Sequence, residues 1–169
     1  MGLINRDRGL TIQGTDYCYW SEGAYGIIFA EKAARSIIKV YKKELEEDHV
    51  RSVFKSEIDA YNLAAFSEKI SALIPGNFQL IPPIQVTDER GRDITDEFFP
   101  DLAFQTDFVK GDFCKIGVVN SAEALRVRQL FWEAGIHHTT DMSVTIGAKD
   151  TILKAIDFAT AEHELMHRE

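Results

Sequence analysis

Cysteine is scarce in this chain: two residues in 169, Cys18 and Cys114, far apart and without metal-ligand spacing. That excludes a zinc-knuckle or disulfide-stapled scaffold, and buried free thiols in a reducing compartment are expected. Positive charge is in deficit, with 19 Lys and Arg against 27 Asp and Glu and a net charge of −8. A nucleic-acid-binding surface wants a basic stripe, and adhesion to anionic lipid wants basic clusters, so neither nucleic acid nor membrane is an expected partner. No apolar run approaches membrane-spanning length, and Met1 to Arg8 lacks the apolar stretch of a secretory signal. The chain therefore reads as cytoplasmic, or as delivered into a host cell by a route without such a signal. Repeats and low-complexity segments are also lacking. What the chain has is 45% apolar and 11% aromatic residues, enough for the core of one domain or of one and a half.

Leu10 to Trp20 is rich in residues that favour extended backbone, and Ser21 to Gly26 is a small, flexible turn before a return strand at Ile27 to Ala30. Ser36 to Tyr41 predicts a third strand, nearly continuous in branched residues. Lys42 to Ile70 predicts one long helix, with Val50, Val53, Phe54, Tyr61, Ala64 and Ala65 at helical spacing. Glu57 falls on that apolar stripe, where a carboxylate needs a cation; Lys39 on the neighbouring strand is the candidate. Pro75 and Gly76 break the chain. Pro82 and Pro83 interrupt a strand over Phe78 to Val86 and place it at a sheet edge. A charged loop over Thr87 to Pro100 leads to a strand over Leu102 to Val109. Asn120 and Ser121 cap a helix over Ala122 to Ala134, with Ala124, Leu125, Val127, Leu130, Phe131 and Ala134 as its apolar stripe, and Gly135 ends it. Trp20 and Trp132 read as core or interface anchors.

Several motifs follow in order. Ser21-Glu22-Gly23-Ala24-Tyr25-Gly26-Ile27-Ile28 is a glycine-bearing turn, and Gly23 and Gly26 let backbone N–H groups approach a polyphosphate. Lys39 on the next strand reaches phosphate as a point charge. Phe108-Val109-Lys110-Gly111 is a connector. His137-His138-Thr139-Thr140-Asp141 follows the second helix, and a strand over Thr151 to Ile156 ends in Asp157-Phe158-Ala159. This series resembles the protein kinase-like superfamily, most closely its short bacterial effector-type members with a truncated C-lobe.

The resemblance implies an α+β fold: a kinase-like N-lobe of antiparallel sheet plus one long helix over residues 1–109, and a hinge with a much reduced helical C-lobe over 110–169. It implies an ATP-dependent phosphotransferase acting on a protein Ser, Thr or Tyr hydroxyl, with ATP and Mg2+ as cofactors. Gly23, Gly26 and Lys39 would bind the nucleotide, Glu57 would hold Lys39, Asp157 would bind the metal and Asp141 would orient the acceptor hydroxyl. The chain departs from the pattern at several points, Ser21 standing for the first loop glycine and Thr139 or Thr140 for the arginine of the His-Arg-Asp motif. The asparagine that binds a second metal would fall at Thr145 or Ile146, the His…Asp spacing is one residue longer than usual, and Ala159 replaces a glycine. These departures imply the alternative, a pseudokinase that binds nucleotide or a regulatory partner protein. Loss of most of the C-lobe implies exposed apolar surface, covered by a homodimer or a partner. Near the C-terminus His163-Glu164-Leu165-Met166-His167 matches H-E-x-x-H, a zinc-binding helix motif. Its reading here is a solvated helix end, with adventitious metal on His163 and His167 as the alternative.

Overall fold

A computed structural model describes residues 9–23 and 25–158 of the chain. Ala24, Ala159 and the H-E-x-x-H histidines lie outside the described residues. Over the described residues the fold is α+β, a curled antiparallel sheet, a second small sheet and two α-helices. The chain divides into two compact units, residues Met1–Arg51 with Asn77–Phe108, and residues Ser52–Gly76 with Val109–Glu169.

The first unit is built on a seven-stranded sheet. Its strands are β1 (Gly9–Ile12), β2 (Thr15–Glu22), β3 (Gly26–Glu31), β4 (Ser36–Lys42), β5 (Gln79–Leu80), β6 (Val86–Asp88) and β7 (Phe98–Asp107), in the spatial order β5-β7-β4-β3-β2-β1-β6. The single strand expected over Leu10 to Trp20 is two. Gln13 and Gly14 both take positive φ, 51° and 81°, and make the two-residue turn that matches the twist of a hairpin. The prolines at 82 and 83 act more strongly than expected. They separate β5 from β6, and those two strands lie at opposite edges of the sheet. One face of the sheet carries the core: Leu10, Ile12, Tyr17, Ile27, Phe29, Ile38, Val40, Ile84, Val86, Phe98 and Ala103 form one buried cluster.

The long helix α1 is Glu47–Phe66, shorter at both ends than the apolar spacing predicts, with Glu47 and Asp48 in its first turn. It passes from the first unit into the second after Arg51. Val53, Ala60, Tyr61 and Ala64 bury its stripe in the second unit. That unit also holds β8 (Cys114–Lys115), α2 (Ser121–Glu133), β9 (Ser143–Ile146) and β10 (Ile152–Ile156), the strands in the order β10-β9-β8. Asn120 caps α2 by accepting from the N–H groups of Ala122 and Glu123, and Gly135 follows its end with φ of 93°, as the local sequence predicts. Val127, Phe131, Ile136, Met142, Val144, Ile152, Ala155 and Phe158 supply the core.

Three sequence expectations about exposure are corrected. Cys18 is exposed and Cys114 half-buried, both free, because strand alternation turns Cys18 away from the core that Tyr17 and Tyr19 face. Trp20 is 54% and Trp132 55% exposed, so neither is a core residue. Leu125 is turned outward on α2 although it lies beside the buried stripe in sequence.

Candidate functional site

In the first unit the glycine-bearing turn and the strand lysine come together. β2 runs through Ser21 and Glu22, so the turn is tighter than Ser21 to Gly26, and the Gly23 N–H donates to the Gly26 carbonyl at 2.9 Å. Antiparallel register places Gly26 opposite Tyr41 and Ile28 opposite Lys39. The lysine stem lies across Gly26. A Cβ on that glycine would sit 2.6 Å from Lys39 Cε and 3.0 Å from the Val40 carbonyl oxygen. Close approach, not an unusual φ, is the reason for glycine there. Gly23 differs, since nothing lies within 4 Å of a Cβ built on it. The open side is what a backbone approaching a ligand requires.

Lys39 is half-buried, with Nζ 5.5 Å from the centre of the Tyr41 ring and 5.9 Å from that of Phe104. Ring faces attract the ammonium and limit its reach to one region of the sheet surface. The register extends this into a row: Ser21 pairs Ile28, Ile28 pairs Lys39, Lys39 pairs Phe104, and Phe104 pairs Leu80. The next row along the strands is Cys18, Ala30, Ile37 and Thr106. Because side chains alternate, both rows share the sheet face opposite the core cluster. Ile28 and Ile37 there are half-buried. At the end of this unit Phe108, the first connector residue, packs edge to face on Trp20 with ring centres 5.0 Å apart. The sequence did not single out Ile28, Ile37 or Phe104 for this face. Only the register, which is a tertiary property, aligns them with Lys39.

The second unit gathers the acidic residues. Glu57 is 4% exposed on α1 and it is partnered, as a carboxylate at that depth must be. Tyr61, one turn on, has its hydroxyl pKa pushed well above the ordinary range, first by burial and then by the negative charges of Glu57 and Asp157. Tyr61 thus lies within electrostatic reach of both carboxylates. Phe158 is 1% exposed and wedged between Tyr61 and Phe131, with ring centres at 4.9 Å and 5.3 Å. It fixes the end of β10. Asp157, between that strand and that anchor, has a φ of 59°. Left-handed backbone in a residue other than glycine is uncommon, though Asp tolerates it, and such residues concentrate at functional sites.

Asp141 is exposed, and its carbonyl accepts from Lys115 Nζ at 3.0 Å. Ser143 of β9 pairs with Ile156 of β10, so Asp141 and Asp157 both leave the same end of that hairpin. His137 stacks on Trp132 with ring centres 3.9 Å apart, and His138 is exposed. Thr145 is buried within β9 and Ile146 lies in the same strand. Neither offers a carboxamide to a metal.

Among the described residues, no group of three or more His, Cys, Asp or Glu could hold a metal by itself. Also among the described residues, no helix is long and apolar enough to cross a membrane. No protein-family model, curated protein or solved structure matches the chain.

Proposed function

We propose that this chain is a kinase-like phosphotransferase that moves the γ-phosphoryl group of ATP to a hydroxyl, in the first instance a protein Ser, Thr or Tyr. The observation that carries the proposal is the Lys39 stem lying across Gly26, with its ammonium beside Tyr41 and Phe104. A glycine turn open at Gly23 and a cation held over its far end are what a polyphosphate needs. The half-buried Ile28 and Ile37 beside them, with the Trp20–Phe108 pair, give a planar base an apolar and aromatic surface.

In this reading Glu57 would orient Lys39, and Asp157 would hold Mg2+, which would neutralise charge on the phosphates. The acceptor oxygen attacks the γ-phosphorus and forms the new P–O bond. The bond to the bridging oxygen breaks, ADP leaves, and Asp141 takes the hydroxyl proton. Positioning and charge neutralisation supply most of the acceleration in such a transfer.

The test is calorimetric titration of ATP with and without Mg2+, followed by transfer of radiolabelled phosphate. Wild type is expected to bind Mg·ATP. Lys39→Ala should weaken binding about tenfold or more, the scale of one charge-assisted contact of ~1.5–3 kcal/mol. Asp157→Asn should remove the Mg2+ dependence. Absence of any ATP binding by wild type would overturn the proposal.

A second reading rests on β9. Because Thr145 is buried there and Ile146 is apolar, the second metal ligand is missing. A nucleotide-binding pseudokinase that regulates a partner protein would keep Mg·ATP binding and show no transfer to any acceptor.

A further inference from the structure

Helix α2 has two apolar faces. The inner one carries Val127 and Phe131 into the core of the second unit. The outer one carries Leu125, 67% exposed, and Trp132, 55% exposed, and Val118 just before the helix is 77% exposed. Ala122, Leu125, Gln129 and Trp132 follow one another along α2 at steps of three, four and three residues. That spacing draws one stripe along a helix and is the spacing of a seam between two helices. A helix that only covers its own core puts charge in the middle of its outer face. Here the charges stand at the flanks, Arg126 and Glu133 on one side and Arg128 on the other.

We infer that a second copy of this chain covers the stripe, its α2 antiparallel to the first across a two-fold axis near Gln129. The stripe is self-complementary in that arrangement and in few others. Leu125 of each copy meets Trp132 of the other, and Gln129 meets its own symmetry mate, one amide donating to the other. A two-fold axis brings each flank against the same flank running the opposite way. Arg126 of each copy therefore faces Glu133 of the other. Both have room for a further partner: Arg126 is 51% exposed beside Glu123, and Glu133 is 44% exposed beside Lys69. An unlike partner would require no such match between the two ends of one helix. A 13-residue seam is short beside the about 1,600 Å² of a standard interface, so the dimer is weak. The inference is independent of the phosphotransferase reading, and either can fail without the other.

Sedimentation equilibrium on the full chain, from about 1 μM to about 500 μM, tests it. Wild type is expected to pass from monomer to dimer over that range. Leu125→Glu and Trp132→Ala should raise the dissociation constant about tenfold or more. Leu125→Glu should keep the circular dichroism and thermal midpoint of wild type, because Leu125 is exposed, whereas Trp132→Ala also removes the stack on His137 and its dissociation constant is read beside its own midpoint. Gln129→Cys, combined with Cys18→Ser and Cys114→Ser, should give a disulfide-linked dimer on mild oxidation, because a residue near the axis meets itself. Arg128→Cys in the same background lies off the axis and should crosslink far less. A wild type that stays monomeric throughout overturns the inference and leaves the stripe to a different protein. A dimer that Leu125→Glu leaves intact overturns it equally.

Discussion

Alanine at position 26 would bring a methyl group 2.6 Å from Lys39 Cε and 3.0 Å from the Val40 carbonyl oxygen. The lysine can swing away, but the carbonyl belongs to a central strand and cannot. Gly26→Ala should therefore cost about 1–3 kcal/mol in urea denaturation and weaken nucleotide binding through the displaced ammonium. Gly23→Ala is the paired control, since its Cβ meets nothing within 4 Å. Its stability should stay within about 0.5 kcal/mol of wild type, so any loss of nucleotide affinity reports a ligand approaching that backbone. Equal behaviour of the two variants in denaturation would refute the steric account. Asp157 needs similar care. Its φ of 59° is accessible to Asn and strained for Ala. Asp157→Asn thus removes charge with the backbone kept, whereas Asp157→Ala mixes the two effects.

Among the elements, β10 shows how a local network holds a strand at a sheet edge. It is an edge strand, and the Ile152 N–H donates to Glu123 Oε1 at 3.0 Å. Arg126 donates to both oxygens of the same carboxylate, at 2.8 Å and 2.7 Å. These bonds, Arg126 first and the Ile152 N–H second, lower the Glu123 pKa from 4.5 to about 2. A lowered folded-state pKa gives stability that is present above the unfolded value and lost as pH falls through the folded one. The contribution should thus be complete above pH 4.5 and disappear toward pH 2. Glu123→Gln should flatten the stability profile across that window, measured by denaturation at a series of pH values, and a profile as steep as wild type would contradict this. At the other end of β10, Phe158→Ala should cost about 3–5 kcal/mol, because the ring fills a site between Tyr61 and Phe131 with 1% exposure. Phe158→Leu should recover most of the loss, and urea midpoints compare the two directly.

At the scale of the whole molecule, each unit carries part of the proposed chemistry: Gly26 with Lys39 in one, Glu57, Asp141 and Asp157 in the other. A ligand bound only by the folded chain stabilises it by about 2.7 kcal/mol at a hundred times its dissociation constant. Mg·ATP at that excess should therefore raise the unfolding midpoint of wild type, and less so that of Lys39→Ala or Asp157→Asn. A midpoint that Mg·ATP leaves unmoved in wild type would count against the nucleotide site itself.

Local chemistry was legible from the residues alone. The cap at Asn120, the glycine after α2, the break at Pro75 and the buried position of Glu57 all depend on neighbours within a turn of helix or strand, and they hold. So does the α+β class, because hydrophobic period separates helix from strand without reference to the rest of the chain. Contacts between distant segments were not legible. No local signal shows that Phe104 lies beside Lys39, that Tyr61 lies within reach of both Glu57 and Asp157, or that β5 and β6 occupy opposite sheet edges. Cys18 and Leu125 were misjudged, and Trp20 and Trp132 proved not to be core residues, for the same reason: hydrophobicity says that a side chain gains from burial, while the register and packing of other segments decide whether anything is there to bury it.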